Sequence, residues 1–133
     1  LSPDEVYEVF TTNFVNIETN LRICEAHYKQ ESDGICATVT VEYNGERSVL
    51  TGTGNGRLDA VSDAIKNGLG LSYTIVTYNE HAIEVGSKSK AAAYVEICDS
   101  NGNSSWGAGI HTDIINSSVS ALVSAINNSD MVK

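Results

Sequence analysis

Proline is nearly absent from this 133-residue chain, which has one, and tryptophan is equally rare. Nothing proline-rich can therefore serve as a stiff linker or an extended recognition segment. Basic residues are also scarce: 8 Lys and Arg stand against 17 Asp and Glu, a net charge of −9. Those eight, from Arg22 to Lys133, form no stripe that could neutralise a row of phosphates, so nucleic acid and anionic membrane surfaces are excluded as partners. No apolar run approaches the length needed to cross a bilayer, and no signal peptide is present. The acidic balance reads as a solubilising surface of a cytoplasmic protein.

The three cysteines, Cys24, Cys36 and Cys98, are odd in number and widely spaced, with no CxxC or Cys/His pattern. They read as small core residues in a reducing compartment rather than as disulfides or metal ligands. His27, His81 and His111 are equally dispersed, and no Gly-x-Ser-x-Gly elbow is present. Asp59 and Asp63 sit at helical spacing, where favourable charge in the first turns explains them better than an acid and base pair. No catalytic constellation and no metal site emerges from these residues.

What the chain does have is a 41% hydrophobic composition, enough for one globular core, and a repeat. LSPDEVYEVF carries a capping box at Ser2 and Glu5, and predicts a short helix from about Pro3 to Asn13. Opening on a helix cap without an initiator Met, the chain reads as an excised domain or a processed chain, with 1–20 as helix and linker. Strands are then predicted over Leu21–Gln30 and Ile35–Tyr43, where Ile35, Ala37, Val39, Val41 and Tyr43 alternate with polar or small residues. Asn44-Gly45 suits a type I′ hairpin to a third strand over Glu46–Thr51. After GTGNGRLDA, the residues Leu58, Val61 and Ile65 mark a helix that Gly68 and Gly70 can stop.

The same order returns over Leu71–Tyr78, Ala91–Cys98, the Asn101-Gly102 turn and Ser104–Ile110. A helix follows, capped by Thr112 or Asp113, with Ile115, Val119, Leu122 and Ile126 on one face. The Asn-Gly pairs and the Gly-x-Gly elements recur at nearly the same interval, so two βββα units are expected, 21–70 and 71–133. Neither unit can bury its sheet face and helix stripe alone. An α+β domain follows, with two units about a pseudo-twofold axis, helices covering antiparallel strands, and a homodimer across any face left open.

GTGNGRLDA raises the question of a phosphate loop. It lacks the Lys-Ser or Lys-Thr of a P-loop, and the strand before it returns from a hairpin rather than belonging to a parallel unit. What remains is a strand-to-helix corner, either packed tightly for its own sake or offering free amides to a carboxylate. In TYNEHAIEVGSKSKAAAYVE, the small residues Ala91, Ala92 and Ala93 open a strand where larger side chains would be favoured, after a loop holding Gly86. They suit close backbone packing or a small pocket.

GTGNGRLDA (52–60), YNEHAIEVGSKSKAAAYVE (78–96) and WGAGIHTDIINSSVSALVSAINN (106–128), in that order, resemble the C-terminal regulatory domain of 2-isopropylmalate synthase. The resemblance covers nearly the whole chain. It implies a dimerising domain of two βββα units that binds the feedback inhibitor L-leucine. Acetyl-CoA and 2-oxoisovalerate would be condensed in a separate TIM-barrel domain of the same enzyme, which alone would use a divalent metal, so no cofactor is expected here. By motif position the resemblance implies a leucine site at Gly54, Gly56, Leu58, Ile75, Tyr78, Ala82, Ser89, Ala91 and Ile110. Amides from Gly54 to Leu58 would hold the carboxylate, and Leu58, Ile75, Ala82 and Ala91 the isobutyl group. Arg57 stands where the family usually has Pro, and Lys88-Ser89 where it often has Asp-Ala. An isoleucine-sensing relative, as in citramalate synthase, and a dimerisation module without ligand are the alternatives.

Overall fold

The computed structural model describes residues 20–85, 88–129 and 131. The helix expected near Pro3 lies outside them. The first unit consists of β1 (Leu21–Glu31), β2 (Gly34–Tyr43), β3 (Glu46–Gly54) and α1 (Arg57–Leu69). The second consists of β4 (Tyr73–Val85), β5 (Lys88–Asp99), β6 (Ser104–His111) and α2 (Ile114–Asn128). Each unit is an antiparallel meander, ordered β1-β2-β3 and β4-β5-β6, with its helix laid across the second and third strands. The α+β architecture of two βββα units is the one the repeat predicts.

Period two decides the faces. In β2, Ala37, Val39 and Val41 are fully buried while their neighbours are half-exposed. These join Leu21, Val61, Ile65, Val95, Ile97, Leu122 and Ile126 in one core shared by both units. Each such Val, Leu or Ile side chain stabilises the fold by about 1.5–3 kcal/mol relative to exposure. The first turn has positive φ at both Asn44 (51°) and Gly45 (87°), the geometry of a type I′ hairpin. The second is held differently: the Asp99 carboxylate accepts from the N–H of Asn101 and of Asn103, each at 2.9 Å.

The glycines of the Gly-x-Gly elements are explained by helix packing. A Cβ on Gly52 would stand 2.2 Å from the backbone N of Ala64, and one on Gly107 2.2 Å from that of Ala125. Gly54 and Gly109 face their helices in the same way, at 2.7 Å from Ala60 N and 2.0 Å from Ser117 O. Only residues without a side chain let the helix backbone lie this close to a strand.

Two polar pins join the units. The Asn127 side chain accepts from the N–H of Leu21 at 2.8 Å and of Asn20 at 3.1 Å, and donates to Leu21 O at 2.9 Å. It thereby ties the end of α2 to the start of β1. In the opposite sense, Ser62 of α1 and Tyr73 of β4 share a buried hydroxyl contact of 2.9 Å.

Three expectations need correction. Gly68 does not stop α1; it lies in the last turn against Leu50, and the helix closes at Gly70 with φ 68°. The fourth strand does not end at Tyr78 but runs through His81 and Ala82 to Val85, because Ala91–Ala93 pair with it directly. Nor are the cysteines core residues. Cys36 and Cys98 are half-buried, and Cys24 is exposed because a bulge between Ile23 and Glu25 leaves it without a partner on β2.

Candidate functional site

The corner of the first unit runs from Gly54, the last residue of β3, through Gly56, the N-cap of α1. Gly56 differs from the other corner glycines. A Cβ there would meet only Asp59 Oδ2, at 3.9 Å, so packing does not require its absence. Its consequence is electrostatic: among the described residues no side chain caps α1, and its first-turn amides lie without a side-chain cap at the positive end of the helix. Leu58 is half-buried against the core beside them. The Arg57 guanidinium stands 5.6 Å from the centre of the Tyr28 ring, on β1 of its own sheet. Burial, partly offset by this cation, pushes the Tyr28 hydroxyl above its ordinary pKa. Asp63 lies beyond the first turn of α1, where Asp59 is the acidic residue. Its carboxylate accepts from Thr53 N–H at 2.9 Å and from Asn67 at 3.0 Å.

The second group of candidates shares one face of the β4–β5 hairpin. Tyr78 pairs with Val95, which pairs with Gly107; Ala82 pairs with Ala91, which pairs with His111. Because Gly107 faces α2, the whole row does. Ile75, Tyr78, Ala82, Ser89 and Ala91 thus lie along the helix side of the hairpin, which extends past the last residue of β6. Ile110 does not join them. It lies between Gly109 and His111 and points to the opposite face, paired with Ala92.

A cleft of about 370 Å³ lies between the units, lined by Thr53, Asp59, Ser62, Asp63 and Lys66 of the first and Thr74 and Ile75 of the second; of the candidate residues its lining includes Ile75 alone. Tyr78 is fixed from two sides, its hydroxyl bonding both the Glu80 carboxylate and the Ser118 hydroxyl of α2. Burial, then the bond to Glu80, raises its pKa. Sequence reasoning passed over Ser118, and used Glu80 only as part of a motif. The one local signal for Ser118 is a serine a turn inside a helix whose start, at Ile114, is apolar and 40% exposed. Among the described residues, no three His, Cys, Asp or Glu side chains gather as a metal-binding group, and no helix is long and apolar enough to cross a membrane.

Fold and corner define the class: an internally duplicated βββα module whose open features are a helix corner and a projecting hairpin. Comparison with known families places it further. The model of the LeuA allosteric (dimerisation) domain matches residues 1–129, and the chain belongs to that family. It is 48% identical over 127 residues to the 2-isopropylmalate synthase of Desulfitobacterium hafniense, covering 96% of this chain and 23% of that protein. It is 38% identical to the 2-isopropylmalate synthase of Helicobacter hepaticus (96% and 24% covered) and 36% to that of Mycobacterium leprae (96% and 21%). The chain therefore spans about a quarter of the length of these relatives.

Proposed function

We propose that this chain is the leucine-responsive regulatory and dimerisation domain of a cytoplasmic 2-isopropylmalate synthase. The observation that carries the reading is the uncapped start of α1 at Gly56; the pairing of the small residues Ala82 and Ala91 on the β4–β5 hairpin supports it. Amides from Gly56 to Leu58 supply donors for the carboxylate of L-leucine, where the helix dipole favours an anion. Leu58, Ile75, Ala82 and Ala91 supply an apolar wall for the isobutyl group, with Tyr78 and Ser89 at its edge. Arg57 does not remove this anion site, since its charge lies against Tyr28. The family description supports a homodimer, and the relatives' names support a catalytic domain elsewhere in the enzyme, where acyl transfer and any divalent metal belong.

Calorimetric titration of the chain with L-leucine, isoleucine and valine tests this, on a sample whose dimeric state is fixed by sedimentation. The expected result is saturable binding with leucine tightest. One misplaced or missing methyl is worth about 1–3 kcal/mol, so the others should bind on the order of tenfold or more weakly. No heat and no thermal stabilisation from any of the three at millimolar concentration would leave a dimerisation module without a ligand. Isoleucine binding tightest would move the chain to the isoleucine-sensing class.

A further inference from the structure

The sequence motif around Tyr78 leaves its hydroxyl unexplained, since an apolar wall needs only the ring. Tyr78 stands on β4, which α2 does not cover, and it is 37% exposed, yet its hydroxyl reaches sideways to Ser118, which is 1% exposed on α2. Ser118 in turn donates to Ile114 O at 2.9 Å, at the first residue of the same helix. Glu80, two residues along β4, accepts from the Tyr78 hydroxyl on the other side.

Proton counting makes this set unusual. Three contacts, Glu80 to Tyr78, Tyr78 to Ser118 and Ser118 to Ile114 O, share only two hydroxyl protons. Either Tyr78 donates to Glu80 and accepts from Ser118, which leaves Ile114 O with the Ser117 hydroxyl at 2.8 Å as its side-chain donor, or Ser118 keeps its bond to Ile114 O and Tyr78 turns its proton to Ser118. The ring position and the first turn of α2 are therefore coupled through one chain of bonds. Among the described residues the first unit has no such chain. Counted from the bulge that both first strands carry, Ala26 occupies the place of Tyr78. Aligned through Ala64 and Ala125, Arg57 occupies the place of Ser118.

We propose that Ser118 and Glu80 are positioning residues for the ligand, acting through the Tyr78 hydroxyl, and that the first turn of α2 is the element that senses a ligand seated against the Tyr78 ring. This rests on the leucine reading above. Without Ser118 the Tyr78 ring loses its tether to α2, and the wall it forms is no longer held in place before the ligand arrives.

Titration of L-leucine into the wild-type chain and into Ser118→Ala, Glu80→Ala, Glu80→Gln, Tyr78→Phe and Ser118→Ala/Tyr78→Phe tests it, with the melting temperature of each recorded. Ser118→Ala, Glu80→Ala and Tyr78→Phe should each weaken binding about tenfold, the loss of one well-placed hydrogen bond. Glu80→Gln, which keeps an acceptor oxygen, should retain most of the affinity. In the Tyr78→Phe background Ser118→Ala should change affinity no further, because its effect passes through the hydroxyl already removed. Wild-type affinity in Ser118→Ala, or an effect of undiminished size in the Tyr78→Phe background, overturns the proposal while leaving the leucine site standing. A wild-type chain that binds no leucine overturns both.

Discussion

In the first unit the helix begins on Gly56 and no described side chain caps its amides, whereas in the second the Asp113 carboxylate accepts from the N–H of Ile115 at 2.8 Å and of Asn116 at 3.1 Å. The rest of the frame is shared. Both first strands carry a bulge at the same place, both third strands lay a Gly-x-Gly under the helix, and each helix flanks the first strand of the other unit. The clefts so formed are similar in size, about 410 Å³ between β1 and α2 and about 370 Å³ beside β4 and α1. Duplication thus made two comparable corners, and the second was closed from within. α2 starts one turn earlier than α1, and that added turn brings its own anion in Asp113 and reaches Tyr78 through Ser118. Among the described residues, the helix-start amides are uncapped by side chains at the first corner and capped at the second.

The shared frame breaks most severely at the packed glycines. Gly52→Ala and Gly107→Ala each put a methyl 2.2 Å from helix backbone, so the helix has to lift or the chain fails to fold. Each should cost about 3 kcal/mol or more in urea denaturation. The informative result is their similarity. A large loss at one and little at the other would show that the units do not share one packing geometry.

The pins between units come next. Asn127→Ala removes a fully buried amide with three bonds to Asn20 and Leu21, and leaves the Leu21 backbone groups without that partner. A loss of about 2 kcal/mol is expected by the same denaturation measurement. Its opposite number, Tyr73, titrates. Burial pushes its pKa from 10.0 up to about 12, with the Ser62 bond lowering it only partly. Between those values the unfolded chain loses the phenolic proton and the folded chain keeps it, so stability is intact below pH 10 and falls as pH rises toward 12. About 1 kcal/mol should be gone near pH 11. Tyr73→Phe should flatten that slope, and an unchanged slope would mean another group controls alkaline unfolding.

Much of this was legible in order along the chain. Asn44-Gly45, the alternation in β2 and the recurring Gly-x-Gly each specify local geometry, and local geometry repeated twice specifies the fold. What escaped depends on residues distant in sequence. Nothing near Asn127 says that it will bond Leu21, and nothing near Tyr78 names Ser118. The length of β4 depended on a partner strand whose alanines lack the β-branched residues expected in a strand. For the candidate site, the resemblance carried the residues, and geometry then separated Ile110 from the rest by the alternation of β6. The meaning of Gly56 was open from sequence because a tight corner and an open anion site both call for glycine.

Exchanging the caps has the smallest effect on stability and sharpens the comparison furthest. Asp113→Ala should cost about 1 kcal/mol, the usual worth of an N-cap carboxylate, and open the amides of Ile115 and Asn116. Gly56→Asp places a carboxylate over the amides of α1, where a Cβ has room, and should change stability by only a few tenths of a kcal/mol, in the favourable direction. Yet it should abolish leucine binding, because the protein's own anion then occupies the carboxylate's place. A variant that is at least as stable as wild type and cannot bind leucine separates the two roles a glycine can play at a helix start. If Gly56→Asp binds leucine normally, the open amides are not the carboxylate site, and the difference between the two corners has no bearing on the ligand.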